Sequence, residues 1–220
     1  MNLSERKVIV VLGDVVSSRQ IHDRGAFQRK LSRLLEEVTR TSSGLLTRYA
    51  IALGDEFEAV YERADRLPAD LWRILARLHP QKVRFAVSVG TLATPVSWDE
   101  PTALDGPAFH AAREAVASLK DHGSRDAPPR LFTVAGVVGP QGPVLNHSLD
   151  LLSHLCADWR ANRWGVLDGL LAGKSAAEIA DGLDISPAAV YKNIHAGALE
   201  TLLALNDDLA RALNEAAEGT

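Results

Sequence analysis

A chain of 220 residues has room for one large domain, or for a medium domain followed by a small one. With 46% hydrophobic and 24% charged residues it has the balance of an ordinary soluble globular protein, and a net charge of −4 argues against strong non-specific binding to nucleic acid by the chain as a whole. The single Cys156 cannot make an internal disulfide, and the apolar run Val8 to Leu12 is too short for a signal segment or a membrane span, so a cytoplasmic protein is expected.

Residues 7–13 form a continuous β-branched run, the pattern of a strand buried on both faces. Phe27, Leu31, Leu34, Leu35 and Val38 recur at helical spacing behind a capping Asp23, and Gly44 closes that helix. Tyr49, Ile51 and Leu53 then alternate with Arg48, Ala50 and Ala52. The chain turns at Gly54-Asp55-Glu56 and returns through Phe57 to Tyr61, a β-hairpin with acidic residues at its tip. Pro68 opens a helix with Leu71, Ile74, Leu75 and Leu78 facing inward, and Val83, Phe85, Val87 and Val89 alternate in a fourth strand. A loop carrying Pro95, Trp98 and Pro101 leads to a helix through Phe109, Ala112, Val116 and Leu119. A loop at residues 123–129 precedes a strand near Leu131 to Val134, and the glycine- and proline-rich stretch 136–143 leads to a domain boundary near residue 145. This order predicts an α/β (α+β) domain over residues 1–145, built on one mixed sheet covered by helices on a face.

Residues 146–220 read as an all-helical second domain. Leu149, Leu152, Cys156 and Trp159 share a face, followed by Trp164, Leu167, Leu170 and Leu171. Ser175 with Glu178 makes a capping-box pair, Ser186-Pro187 opens a second helix, and Ile179, Leu183, Val190 and Ile194 supply the core of a helix-turn-helix. Asp184 stands in the turn, where Asp tolerates a left-handed backbone. Leu199, Leu202, Leu203, Leu209 and Leu213 continue as an amphipathic helix. On the second helix of the pair, Ala188, Tyr191, Lys192 and His195 are the expected exposed DNA contacts. From residue 161 onward, however, four basic residues stand against nine acidic ones. DNA affinity rests largely on phosphate neutralisation, so DNA binding calls for a homodimer that places two such helices one DNA turn apart; a protein-interaction role is the alternative.

Two acidic turns carry the chemistry. Gly13-Asp14 follows the first apolar run, and Gly54-Asp55-Glu56 follows the second, so each puts a carboxylate at a strand end beside a glycine that lets the backbone approach a ligand. Carboxylates on neighbouring strands can hold Mg²⁺ against a nucleotide triphosphate, with Asp14 and Asp55 as ligands. Glu56 is a third ligand or a solvating charge at the hairpin tip. Ser17, Ser18 and Arg19 offer hydroxyl, backbone N–H and guanidinium groups to phosphate oxygens, or serve only as a helix entry. The bland alternative for the Gly-Asp pairs is turn chemistry. His147, Asp150 and His154 have metal-like spacing, but no third histidine or cysteine accompanies them, and they read as surface residues.

Gly-Asp-Val-Val-Ser-Ser-Arg (13–19), Leu-Gly-Asp-Glu-Phe-Glu (53–58) and Asp-Gly-Pro-Ala-Phe-His-Ala-Ala-Arg (105–113), followed by the C-terminal helix-turn-helix, resemble the SatD family over nearly the whole chain. More distantly, the first domain is similar to the palm (ferredoxin-like) fold of class III nucleotidyl cyclases and diguanylate cyclases. That resemblance implies metal-binding roles for Asp14 and Asp55 and a transition-state role for Arg113. Leu53 replaces the first glycine of the diguanylate cyclase signature, and Phe109 stands where cyclases have asparagine. The expected protein is therefore a regulator whose palm binds a nucleotide triphosphate or cyclic nucleotide with Mg²⁺ and reports occupancy to DNA or a protein partner. The alternatives are an active nucleotidyl cyclase or nucleotidyltransferase, and a plain DNA-binding transcriptional regulator with a degenerate palm.

Overall fold

The computed structural model describes residues 6–121 and 129–219, so most of the loop expected at 123–129 lies outside the described residues. The chain alternates strands and helices as β1 (Val8–Val15), α1 (Arg24–Thr41), β2 (Ala50–Leu53), β3 (Glu56–Tyr61), α2 (Leu67–Leu78), β4 (Val83–Gly90), α3 (Pro107–Asp121) and β5 (Phe132–Ala135). It then turns wholly helical: α4 (Gln141–Cys156), α5 (Ala161–Leu171), α6 (Ala176–Leu183), α7 (Pro187–Ala196) and α8 (Leu199–Glu218).

The five strands form one mixed sheet in the order β2-β3-β1-β4-β5, antiparallel except for the parallel β4–β5 pair. β1 lies at its centre, which explains its uninterrupted apolar run. Alternation sends Ile9, Val11 and Val15 to one face and Val8 and Val10 to the other. The first face carries the larger core, where Phe57, Tyr61, Phe85 and Val87 meet α1, α2 and the C-terminal helices. The second is covered by α3 through Ala108, Phe109, Ala112 and Val116. Both faces are thus packed against helices, where the sequence suggested cover on one.

Local chemistry sets the helix ends. Asp23 Oδ1 accepts from the Ala26 N–H at 2.8 Å to start α1. Ser175 and Glu178 form a reciprocal capping box on α6, and Asp184 ends that helix at φ 52°, ψ 48°. The boundary expected near residue 145 falls inside α4. Pro143 is accommodated there because it occupies the first helical turn, where no intrahelical partner for its missing N–H is needed, and Gly142 leaves room for the Val137 carbonyl.

The C-terminal helices share the larger core with the sheet. The Trp72 ring meets Phe132 at 4.8 Å between centroids, tilted by 55°, and Trp72 donates Nε1–H to Asn206 Oδ1 of α8 at 3.1 Å. Asn214 Oδ1 accepts from the Ala64 N–H at 2.7 Å. Arg77 of α2 reaches both Glu37 of α1 (3.3 Å) and Asp168 of α5 (2.6 Å). No helix among the described residues is long and apolar enough to cross a membrane.

Candidate phosphate-binding groove

Asp14, near the C-terminal end of β1, is in register with Glu56 on β3 and Arg84 on β4, so three charged side chains line up across three strands. Asp14 is 7% exposed and does not stand alone. Arg84 approaches its Oδ2 at 3.4 Å, and Lys120, from the last turns of α3, places Nζ 2.9 Å from its Oδ1. The same ammonium lies 3.4 Å from Glu56 Oε1. Burial works against the charge on Lys120, but Asp14 and Glu56 outweigh it and hold the ammonium above its ordinary range.

Asp55 sits in the β2–β3 turn, which Gly54 enters at φ 63° and which Gln28 of α1 ties down by donating to the Gly54 carbonyl at 3.2 Å. Next to this turn, the segment after β1 bends through Ser17 at φ 55° into a 3-10 turn, Ser18–Gln20, with Ser18 buried and Arg19 exposed. The Val16 N–H donates to the Lys82 carbonyl at 2.9 Å and the Gln81 amide donates to the Val16 carbonyl, fixing the start of this bend. The two loops wall an open groove of about 660 Å³ that contains Ser17, Ser18, Arg19, Asp14, Asp55 and Glu56 together with Arg24, Arg84 and Lys120. All the sequence-predicted phosphate and metal residues therefore come together, and four cationic side chains join three acidic ones.

The glycines play different parts from the one expected. A Cβ on Gly13 would stand 2.2 Å from Phe57, so Gly13 makes room for an aromatic ring in the core, whereas Gly54 faces open space and supplies a turn conformation.

The acids meet a divalent cation only on one condition. Lys120 already occupies the space between Asp14 and Glu56, and among the described residues no three His, Cys, Asp or Glu side chains converge as a metal-binding group. Mg²⁺ would have to displace that ammonium. At 41% side-chain exposure, Lys120 has room to leave.

A second cleft, about 420 Å³, opens between α3 and the sheet and shares Asp14, Glu56 and Lys120 with the groove. Its floor includes Glu58, whose carboxyl is pushed up from 4.5 to about 7: burial is the main cause, Arg113 opposes it, and Glu56 adds to it. Arg113 lines this cleft, lies over the Phe109 ring at 5.6 Å and pairs with Asp105 Oδ1 at 3.3 Å. The Gly106 N–H, then His110 and Arg113, hold Asp105 below the usual carboxylate range.

Glu58, Arg84, Arg24 and Lys120 were not singled out from the sequence. The period of two did place Glu58 on the Glu56 face of β3, so that signal was present. Lys120 reaches the groove only because α3 covers the second sheet face, which no local pattern discloses.

Away from this end of the molecule, α6 and α7 are joined by the three residues 184–186, and α7 buries Val190 and Ile194 while exposing Ala188, Tyr191, Lys192 and His195. The four expected contacts thus share one accessible face.

The family model described as the SatD family matches residues 8–213. The chain belongs to the SatD family. No curated protein matches this SatD-family chain. A solved structure to which it is similar is the crystal structure of a regulator of polyketide synthase expression from Bifidobacterium adolescentis, 15% identical, covering 96% of this chain and 80% of that one, with a TM-score of 0.33.

Proposed function

We propose that this SatD-family protein is a nucleotide-responsive regulator: a palm-like domain that takes the phosphates of a nucleoside triphosphate or cyclic nucleotide in the groove beside Asp14, joined to a helix-turn-helix that reports occupancy. The observation that carries this reading is the convergence of Arg19, Arg24, Arg84 and Lys120 on one groove at the end of the sheet. Clustered cations at a concave site attract anions, and guanidinium groups suit phosphate oxygens. The strand order β2-β3-β1-β4, with α1 and α2 on one face, supports the palm-like reading.

Mg²⁺ enters with the phosphates in this proposal. Asp14, Glu56 and Asp55 are the carboxylates it meets once Lys120 turns from the acids to the phosphate oxygens. A cytoplasmic location fits, since Mg²⁺ and triphosphates are abundant there and the free, buried Cys156 stays reduced.

The α6–α7 pair, read as a helix-turn-helix, presents Tyr191, Lys192, His195 and Ala188 to DNA. With nine acids against four bases after residue 160, one copy has too little positive charge for firm binding. We assign the exposed stripe Val144, Leu151 and Leu155 on α4 to a second copy of this chain, since these large apolar residues lie on one side of the helix, accompanied by Ser148 and no permanently charged side chain.

The test is DNA binding by the purified chain, measured by anisotropy with genomic fragments, with and without each triphosphate and Mg²⁺. A nucleotide-dependent change supports the regulator. Release of pyrophosphate with formation of a new nucleotide would favour the nucleotidyl cyclase or nucleotidyltransferase alternative, in which Arg113 acts on the transition state.

A further inference from the structure

Glu58 is the acid of the α3 cleft that makes no close hydrogen bond or ion pair among the described residues, although Arg113 acts on it across the cleft. It projects from β3 between Leu12 of β1 and Ala50 of β2, is 5% exposed, and lines the cleft. The cleft walls around it are apolar: Leu12, Ala52, Val116 and Ala117. The charged groups facing this space are Arg113 and Lys120 from α3, Asp14 from β1 and Glu56 from its own strand; β2 contributes only alanine, and the 3-10 turn Pro101–Ala103 brings no titratable group. A buried carboxyl without a hydrogen-bond partner is costly, and such exceptions concentrate where a ligand or reacting group completes the site. At about 420 Å³ the cleft falls within the range of about 300–1,000 Å³ usual for small-molecule pockets. It also opens directly onto the groove that holds the cations.

We propose that Glu58 is the specificity residue of this cleft, accepting two adjacent N–H donors from the planar end of a nucleotide whose phosphates lie in the neighbouring groove. This rests on the nucleotide reading given above. An ionised carboxylate presents two acceptors side by side, so it matches an edge with a ring N–H next to an amino group, as in guanine. An edge with an amino group next to a bare ring nitrogen, as in adenine, satisfies one oxygen and sets a lone pair against the other. A site built around hydrogen-bonding groups rejects a ligand that leaves them unpaired far more strongly than an apolar pocket rejects a misfit. Leu12 and Val116 flank the base plane and keep water from competing.

Glu58→Gln replaces the two acceptors with one acceptor and one donor, which shifts preference toward the adenine-type edge.

The experiment titrates the full chain with GTP, ITP, ATP and inorganic tripolyphosphate, in wild type and in Glu58→Gln. The expected result in wild type is a preference for GTP over ITP, which lacks the amino donor, and over ATP; this preference is lost or reversed in Glu58→Gln, while tripolyphosphate binding is retained. Tripolyphosphate binding with no base preference, or a GTP-to-ATP ratio unchanged in the variant, would overturn the role of Glu58 while leaving the phosphate groove standing. No binding of any of these ligands would overturn both. The wild-type order of GTP, ITP and ATP decides the matter even where the variant folds poorly.

Discussion

Lys120 Nζ stands 2.9 Å from Asp14 Oδ1, a contact between the C-terminal part of α3 and the central strand. It fills the space a metal would take, and it makes Asp14 a paired, buried acid rather than a surface one repelling its neighbours. Asp14→Asn should therefore lower stability, by about 2 kcal/mol, because Arg84 and Lys120 both lose a charged hydrogen-bond partner. Urea unfolding at neutral pH checks the sign. Simple repulsion among surface carboxylates gives a gain instead.

Lys120→Met separates the two uses of that ammonium. Removing it frees Asp14 and Glu56, so Mg²⁺ should bind more tightly to the nucleotide-free protein, while triphosphate affinity falls with the loss of a cation from the groove. Calorimetric titration with Mg²⁺ alone and then with triphosphate reads both.

Glu58 gives stability a pH dependence of definite sign. Its folded carboxyl lies near 7 against 4.5 ordinarily, so the native state holds the proton more tightly than the unfolded chain. Its contribution is full below the unfolded value and declines as pH rises from about 4.5 to about 7, by roughly 3 kcal/mol in all. Glu58→Gln should flatten the unfolding free energy across this window and exceed wild type above it. Denaturant melts at several pH values measure this directly.

Arg77 ties α1, whose first residue Arg24 lines the groove, to α5 beneath the α6–α7 pair through Glu37 and Asp168. Arg77→Ala should cost at most about 1 kcal/mol, since the pairs are partly exposed. Nucleotide affinity should hold while the nucleotide effect on DNA binding weakens. Anisotropy with and without nucleotide, set against calorimetry on the same protein, distinguishes lost coupling from lost binding.

Two substitutions test the C-terminal half. Lys192→Glu reverses the one permanent positive charge among the exposed α7 contacts and should weaken DNA binding and reduce its salt dependence. Leu151→Glu puts a charge into the α4 stripe and should shift sedimentation toward monomer, with DNA affinity falling in parallel.

Much of this was legible in the sequence because it is local. Alternation places the strands, caps place the helices, and the Ser175–Glu178 box with Asp184 marks the α6–α7 turn. The Gly-Asp pairs point to the end of the sheet where the groove lies. What escaped detection depends on distant chain segments meeting. Neither Lys120 nor Arg84 carries a sequence signal of its own, since each acts through a register or a helix placement set by the whole sheet. Gly13 looked like a ligand-facing residue, yet the Phe57 ring across the strand pair determines its identity. The start of α4 is hidden in the sequence because glycine and proline in a first helical turn read like a linker.

The most direct measurement is calorimetric titration of the full chain with a nucleoside triphosphate and Mg²⁺ at low salt, in wild type and in Arg19→Ala. Binding should be saturable in wild type and weaker by about tenfold in Arg19→Ala, the effect of losing one charged phosphate contact. A cyclic nucleotide that binds in place of the triphosphate, with the same loss, keeps the groove assignment. Absence of binding by any of these ligands, or binding indifferent to Arg19→Ala and Lys120→Met alike, would contradict a phosphate site at Asp14.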